Sequence, residues 1–296
     1  MTSDRRNCPI CNGKLTVIRN FNLYSECIKC KSLSTKFVYS ESEIGGYYSS
    51  YVTDEVEEFS PEIRARVSQK ILELSLINSA KSMYDFGFGS GIFLQEASRL
   101  GLKCYGYEYS DGLVEKGISL GATIENADQL HSEKSPRVDI FLVIETLEHL
   151  VQPRAVMQIA HNRLNEGGIL YMTTPNARSF NRRLLRGSWS VFNPPEHITL
   201  FSVEGVRVLL QEIGFTQISI STSGFNPHDL IETLRKRSTS PDSDFSYAGT
   251  KRTETSRSLI SLADRNVMLS FTFKLINSLL RFFKIGDSLK IIARKS

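Results

Sequence analysis

The run Tyr84-Asp85-Phe86-Gly87-Phe88-Gly89-Ser90-Gly91 confines this chain to few folds. A short β-type stretch, Ser82 to Phe86, stops at glycines spaced two apart, and a helical pattern begins directly after them. Alternate glycines allow a sharp turn and a close approach of backbone to a ligand, while the helix N-terminus offers N–H groups that no carbonyl has taken. The dinucleotide spacing G-x-G-x-x-G is not met, because Ile92 follows Gly91 and the third glycine comes one position early. Downstream, β-type runs at Lys103 to Glu108, Ala122 to Glu125, Val138 to Ile144 and Ile169 to Thr173 alternate with amphipathic stretches. This is the pattern of βα units in a mostly parallel sheet. Further strands are expected at Phe215 to Thr222 and Leu289 to Ala293, and a helix starts at Ser60-Pro61.

Open α/β sheets bind ligands at the carboxyl ends of their strands. Asp85, Gly87, Phe88, Gly89 and Gly91 occupy the first such end. Glu108, with Tyr109 beside it, closes the second strand, where a carboxylate can accept both hydroxyls of a ribose. Ala127 and Asp128 follow the third strand, placed for an adenine amino group, and Glu145 follows the fourth.

Four of the five cysteines lie in the first forty residues. Cys8, Cys11, Cys27 and Cys30 form C-x2-C-x15-C-x2-C, which suits a tetrahedral structural zinc site; rubredoxin-like iron is the rival occupant. Four thiolates leave no open coordination position, so the expected ion is structural. Cys104 falls in a predicted strand and reads as a small core residue. The chain then divides into a zinc ribbon over 1–40, a polar link over 41–60 and one large domain over 61–296, with an insertion at about 225–285 that includes a polar loop over 235–258.

With 36 Lys and Arg against 32 Asp and Glu, the net charge of +4 is far from the basic excess of a chain that works by neutralising phosphates. The N-terminus has no apolar h-region, and no stretch of 18 residues is apolar without a charge, so a cytoplasmic protein with no membrane span is expected.

Taken together, DFGFGSG, Glu108, Asp128, VDIFLVIETLEHL and LNEGGILYMTTPN resemble the class I S-adenosylmethionine-dependent methyltransferases. The resemblance covers about residues 60 to 222 and resumes at LKIIARKS. Within that superfamily, WSVFNPPEHITLFSVEGVRVLLQEIGF is similar to a branch acting on small molecules, many of them tied to polysaccharide or secondary-metabolite synthesis. The resemblance implies a Rossmann-like seven-stranded sheet whose last strand inserts antiparallel beside the fifth, and S-adenosylmethionine as cofactor, its methionine part against Asp85, Gly87 and Gly89. Phe88 departs from the small or polar residue of many relatives, and a narrower pocket is expected there. The stretch around Glu145, Glu148 and His149 also resembles ubiquinone-pathway O-methyltransferases, which implies a second divalent ion; a carboxylate pair beside a buried histidine is the alternative reading.

Such an enzyme must hold an acceptor lone pair in line with an activated methyl group, at ~3 Å. For a hydroxyl acceptor, expected on a saccharide, a sugar nucleotide or a related metabolite, a general base would add ~10²- to 10⁴-fold, and His149 and His197 are the alternative candidates. Arg178, Arg182, Arg183 and Arg186 offer a phosphate contact or a solvated face. The apolar helix around Met268 to Lys284 is expected to cap the sheet or the substrate pocket, in preference to contacting a membrane surface or a lipid-linked acceptor. The other readings are an RNA-modifying methyltransferase that grips RNA with its ribbon, and a cofactor-binding scaffold that docks a partner; no DNA partner is expected.

Overall fold

The computed structural model describes residues 5–18, 21–49, 59–130, 132, 135–224 and 267–296. The expected polar loop over 235–258 and residues 50–58 of the link lie outside the described residues. The chain opens with β1 (Leu15–Ile18), β2 (Phe21–Cys27) and β3 (Leu33–Thr35), followed by α1 (Glu41–Ser49) and α2 (Pro61–Asn78). Helix α1 falls within the segment expected to be a polar link. Ser60 caps α2, its hydroxyl accepting from Ile63 N, and Pro61 takes the first helical position.

The main domain follows as β4 (Ser82–Phe86), α3 (Ile92–Arg99), β5 (Lys103–Tyr107), α4 (Asp111–Ser119), β6 (Thr123–Glu125), α5 (Ala127–Leu130), β7 (Val138–Ile144), α6 (Pro153–Arg163) and β8 (Leu164–Pro175). It closes with α7 (Phe180–Leu185), β9 (Thr199–Leu200), α8 (Val203–Ile213), β10 (Phe215–Ser223), α9 (Val267–Phe282) and β11 (Ser288–Lys295). Seven strands form one sheet in the order β10-β11-β8-β7-β4-β5-β6. β4 to β8 run parallel, and β11 lies antiparallel between β8 and β10, as the resemblance implied.

Central β7 reads VDIFLVI because both its faces are covered, so an uninterrupted apolar run suits it. Tyr84, Phe86, Phe141, Val143, Leu170 and Met172 point to one apolar layer, whereas Met83, Ile140, Leu142, Ile169 and Tyr171 point to the other, under α2 and α3. Cys104 is buried in the second layer, as expected. Arg163 of α6 forms a two-pronged ion pair with Glu125 at the end of β6, at 2.6 and 3.1 Å, and Tyr84 donates to the same carboxylate at 3.0 Å. Both partners are buried, so removing one would leave an uncompensated charge at a cost of about 3–5 kcal/mol.

The cysteine module does not stand apart. β3 pairs antiparallel with β9, Leu33 opposite Leu200 and Ser34 opposite Thr199, so the N-terminal hairpin gains a fourth strand from a point more than 160 residues along the chain. Its four cysteines join the same apolar cluster as Phe201, Val206 and Leu209.

Candidate active site and cysteine cluster

The glycine turn is held from both sides. Gly87 N donates to Tyr107 O at 2.8 Å, and Gly89 N donates to Glu108 Oε2 at 2.9 Å, which ties the ends of β4 and β5 together. The other oxygen of Glu108 accepts from Tyr109 N at 2.8 Å. Gly87, Gly89 and Gly91 all have positive φ, at 70°, 51° and 77°. A Cβ on Gly87 would come within 2.5 Å of Thr146, whereas one on Gly89 would enter open space. Asp85 lies beneath this turn, buried, and its Oδ1 has no hydrogen-bond partner among the described residues. Burial, and after it the charge of Glu108, pushes the Asp85 carboxyl up to about 8.

The turn after β7 meets the same loop: Thr146 Oγ1 reaches Gly87 O at 3.4 Å. Glu145 just before it has a φ of 48°, and a 3-10 turn covers Leu147–His149. The expected α-helical face of Glu145, Glu148 and His149 is therefore not formed, since a 3-10 turn of three residues does not stack positions i and i+4. What converges instead is Glu148, His149 and His197, with ligand-type atoms all within 4.8 Å of one another. Glu145 stands outside that set; it opens on solvent, and Ser288 Oγ at the start of β11 donates to it at 3.4 Å. Glu148 is buried, accepts from Thr174 Oγ1 at 2.9 Å, and is pushed up to about 7 by desolvation. The two imidazole rings lie 4.9 Å apart. His149 Nδ1 sits 2.7 Å from Glu196 O, and His197 Nδ1 2.7 Å from Val191 O. A carbonyl only accepts, so in each neutral ring Nδ1 carries the proton and Nε2 the basic lone pair.

A family model described as a methyltransferase domain matches residues 59–220, more than half of the chain. The chain belongs to the methyltransferase domain family. Curated relatives include the ubiquinone biosynthesis O-methyltransferase of Caulobacter vibrioides, 26% identical over 103 residues that make up 32% of this chain and 41% of the relative. That of Pseudomonas aeruginosa is 23% identical over 141 residues, 45% of this chain and 53% of the relative. The chain thus spans about half or less of the length of these relatives. A solved structure of a SAM-dependent methyltransferase from Archaeoglobus fulgidus has the same fold, with a TM-score of 0.51, 16% identity, and coverage of 79% of this chain and 93% of that one.

The residues at the glycine turn fit a cofactor that carries a cationic methionine group. A buried carboxylate with one oxygen unpartnered, beside a second acid, gains from a positive ligand, and the space over Gly89 is open to one. Phe88 does not narrow that space. Its ring is buried in the opposite direction, against the positions where Gly106 of β5 and Gly117 of α4 lack a Cβ; side chains there would come within 2.9 and 2.6 Å of it. Tyr109 is exposed, and its hydroxyl lies against Gly45 of α1, so α1 borders this side of the glycine turn. Ala127 and Asp128 are exposed at the start of α5, at the carboxyl end of edge strand β6.

The four cysteines form no disulfide, and their sulfurs come together. Cys8 Sγ and Cys30 Sγ are 3.6 Å apart, Cys11 Sγ and Cys27 Sγ 3.5 Å. Four sulfurs about 2.3 Å from one zinc ion at tetrahedral angles would lie about 3.8 Å from each other, so the set fits that ion closely. The Cys8–Cys30 hydrogen bond holds Cys30 below the ordinary thiol range and pushes Cys8 above it. Of the arginine group, Arg182 is engaged by Glu26 of β2 at 3.0 Å, while Arg183 and Arg186 are exposed. No helix among the described residues is long and apolar enough to cross a membrane.

Thr146, Thr174, Tyr24 and Ser202 were not legible as site residues. Each acts through a partner distant in sequence, and no spacing motif marks such a pair.

Proposed function

We propose that this chain transfers a methyl group from S-adenosylmethionine to a hydroxyl of a small acceptor, with His149, His197 and Glu148 handling the proton. The observation that carries the reading is the convergence of His197, from the loop before β9, with Glu148 and His149 of the turn after β7, a turn that touches the glycine loop through Thr146. The cofactor, when bound, supplies an activated methyl group; Asp85, Gly87, Gly89, Gly91, Glu108 and Tyr109 are the residues that would hold it. The work left to the chain is to orient the acceptor and take its proton. Nε2 of either histidine can accept that proton, and the adjacent Glu148 carboxylate stabilises the imidazolium that results, since His149 Nε2 lies 3.9 Å from Glu148 Oε1. The names of the relatives support a hydroxyl acceptor; nothing in them favours a saccharide, and the proposal stops at the hydroxyl.

A second reading rests on the same convergence. Glu148, His149 and His197 offer one carboxylate oxygen and two imidazole nitrogens, a set that could hold a divalent ion and polarise the acceptor oxygen. Turnover that survives exhaustive chelation of weakly held divalent ions favours the first reading, and turnover restored by manganese favours the second.

Calorimetric titration of the zinc-loaded protein with S-adenosylhomocysteine is the first test, and absence of binding would overturn the proposal. Acceptor screening with methyl-labelled cofactor follows. On an accepted hydroxyl, replacing the operative histidine by glutamine is expected to slow turnover by ~10²- to 10⁴-fold with cofactor affinity retained. Full activity of both single variants would remove the histidines from the mechanism.

A further inference from the structure

We infer that the cysteine cluster takes part in methyl transfer at a distance, with Tyr24 as the positioning residue that holds the acceptor-side segment 189–202, and with it His197, in place. The inference rests on the reading of His197 as part of the acceptor site. Tyr24, on β2, is fully buried, and its hydroxyl donates to His197 O at 2.6 Å. Its ring packs on Phe192 at 5.0 Å, and Phe192 packs edge-on against Trp189 at 5.2 Å. The segment that carries His197 therefore wraps around one side chain of the cysteine module.

Two further ties act on the same segment. Thr35 N donates to Ile198 O at 2.9 Å, while Ile198 N donates to Glu148 O at 2.8 Å. One residue next to His197 thus joins the cysteine module to the turn that presents Glu148 and His149. The second tie starts at the ligands themselves. Cys27 ends β2, and the turn that follows it carries Cys30 and leads to Ser32, whose carbonyl accepts from Cys27 N at 2.9 Å. Ser32 Oγ accepts from Ser202 N at 3.0 Å, and the Ser202 hydroxyl donates to Cys30 O. Closing the four sulfurs on a metal ion fixes this turn, and the turn holds Ser202 just past the C-terminal end of β9, while Thr35 of β3 holds Ile198 just before its start. The glycine loop is held differently, by Tyr107, Glu108 and Thr146. Loosening the cluster should therefore disorder the acceptor wall and spare the cofactor side.

A merely structural ribbon would stabilise the chain without acting on the environment of His197, and spectroscopy separates the two cases. The protein contains five histidines, so labelling with [13Cε1]histidine gives few signals, and loss of one signal in His197→Gln assigns it. In zinc-loaded Tyr24→Phe, the His197 signal is expected to shift or split, with zinc content and S-adenosylhomocysteine affinity unchanged. His161, edge-on to Phe215 at 5.0 Å, serves as the internal reference and should stay in place. Ser202→Ala and removal of zinc by a chelator should move the His197 signal in the same sense. Once an acceptor is in hand, Tyr24→Phe should lower kcat about tenfold, the worth of one buried hydrogen bond, with the cofactor KM unchanged. A His197 signal that stays fixed in Tyr24→Phe and after chelation overturns the inference. So does loss of cofactor affinity in parallel with the shift, because it would mean that the whole fold had loosened. Failure of the wild-type protein to bind S-adenosylhomocysteine would instead overturn the proposed activity, and the signal would still report on the Tyr24 contact.

Discussion

The cofactor side and the acceptor side of this molecule are assembled on different principles. On the cofactor side, each group of interest sits at the end of its own strand, and the hydrogen bonds that hold it reach only to the next strand: Gly87 to Tyr107, Gly89 to Glu108. On the acceptor side, His197 is held by Tyr24, and Ser202 by Ser32 and Cys30, across sequence separations of about 170 residues. The first side needs little more than a β-strand followed by a glycine turn. The second needs a metal-sized cluster of thiols, three buried hydroxyls and an extra two-residue strand to arrive together. A perturbation of the cluster should therefore separate the two sides, whereas a perturbation of the glycine turn should not.

The largest effect is expected from Cys27→Ser. Closed four-thiolate zinc sites contribute on the order of 10 kcal/mol of apparent folding free energy to modules of this kind. The variant should lose its zinc and the protection of β1 to β3 and β9 from hydrogen exchange, while the strands β4 to β7 stay protected. Retained zinc stoichiometry would show that the four sulfurs are not one site. Phe88→Ala comes next. Its ring fills a slot made by Gly106 and Gly117 in the core layer under α4, so truncation should cost about 3–5 kcal/mol in denaturant unfolding with little change in S-adenosylhomocysteine affinity. A marked change in affinity at unaltered stability would return Phe88 to the cofactor pocket. Gly89→Val reverses that pattern. A β-branched residue at a φ of 51° is strained, and its side chain would fill the open space over the turn, so affinity should fall by roughly 100-fold or more, about 2.7 kcal/mol. Zinc content should not change.

These contrasts also account for what could be read from the chain alone. Strands β4 and β7 and the glycine turn were legible because their signals are local: an apolar run of five to seven residues and a change of period at Gly91. The grouping of the four cysteines was legible because C-x2-C is the spacing that a tetrahedral metal site would need. The direction of Phe88 was not, since the room for it is made by glycines 18 and 29 residues away, and nothing in the loop announces them. The helical face expected of Glu145, Glu148 and His149 failed because the turn after β7 is too short and too tight for an α-helix, and the partner that completes the cluster, His197, belongs to another loop. Helix α1 was not legible, because ESEIGGYYS pairs two glycines with little apolar periodicity; its place is set by the neighbours it meets, Tyr109 at Gly45 and Gln152 at Glu41.

The last test concerns the electrostatics of the cofactor side. The Asp85 carboxyl, raised to about 8 by burial and then by Glu108, keeps its proton in the folded ligand-free protein well above the ~4 at which an unfolded chain releases it. The stability this group contributes is therefore complete below about pH 4 and is lost as pH rises toward 8. An amide cannot ionise, so Asp85→Asn should match the wild type in acid and melt higher than it by a margin that grows up to about pH 8. In a chain of this size each 1 kcal/mol corresponds to about 2–4 °C, so scans at pH 5, 6.5 and 8 resolve the trend. With S-adenosylmethionine present the order should invert at pH 8. The ionised carboxylate then faces a cationic ligand, and the wild type gains more from binding than the amide does. A melting difference that stays flat from pH 5 to 8 would show that Asp85 is already ionised without ligand.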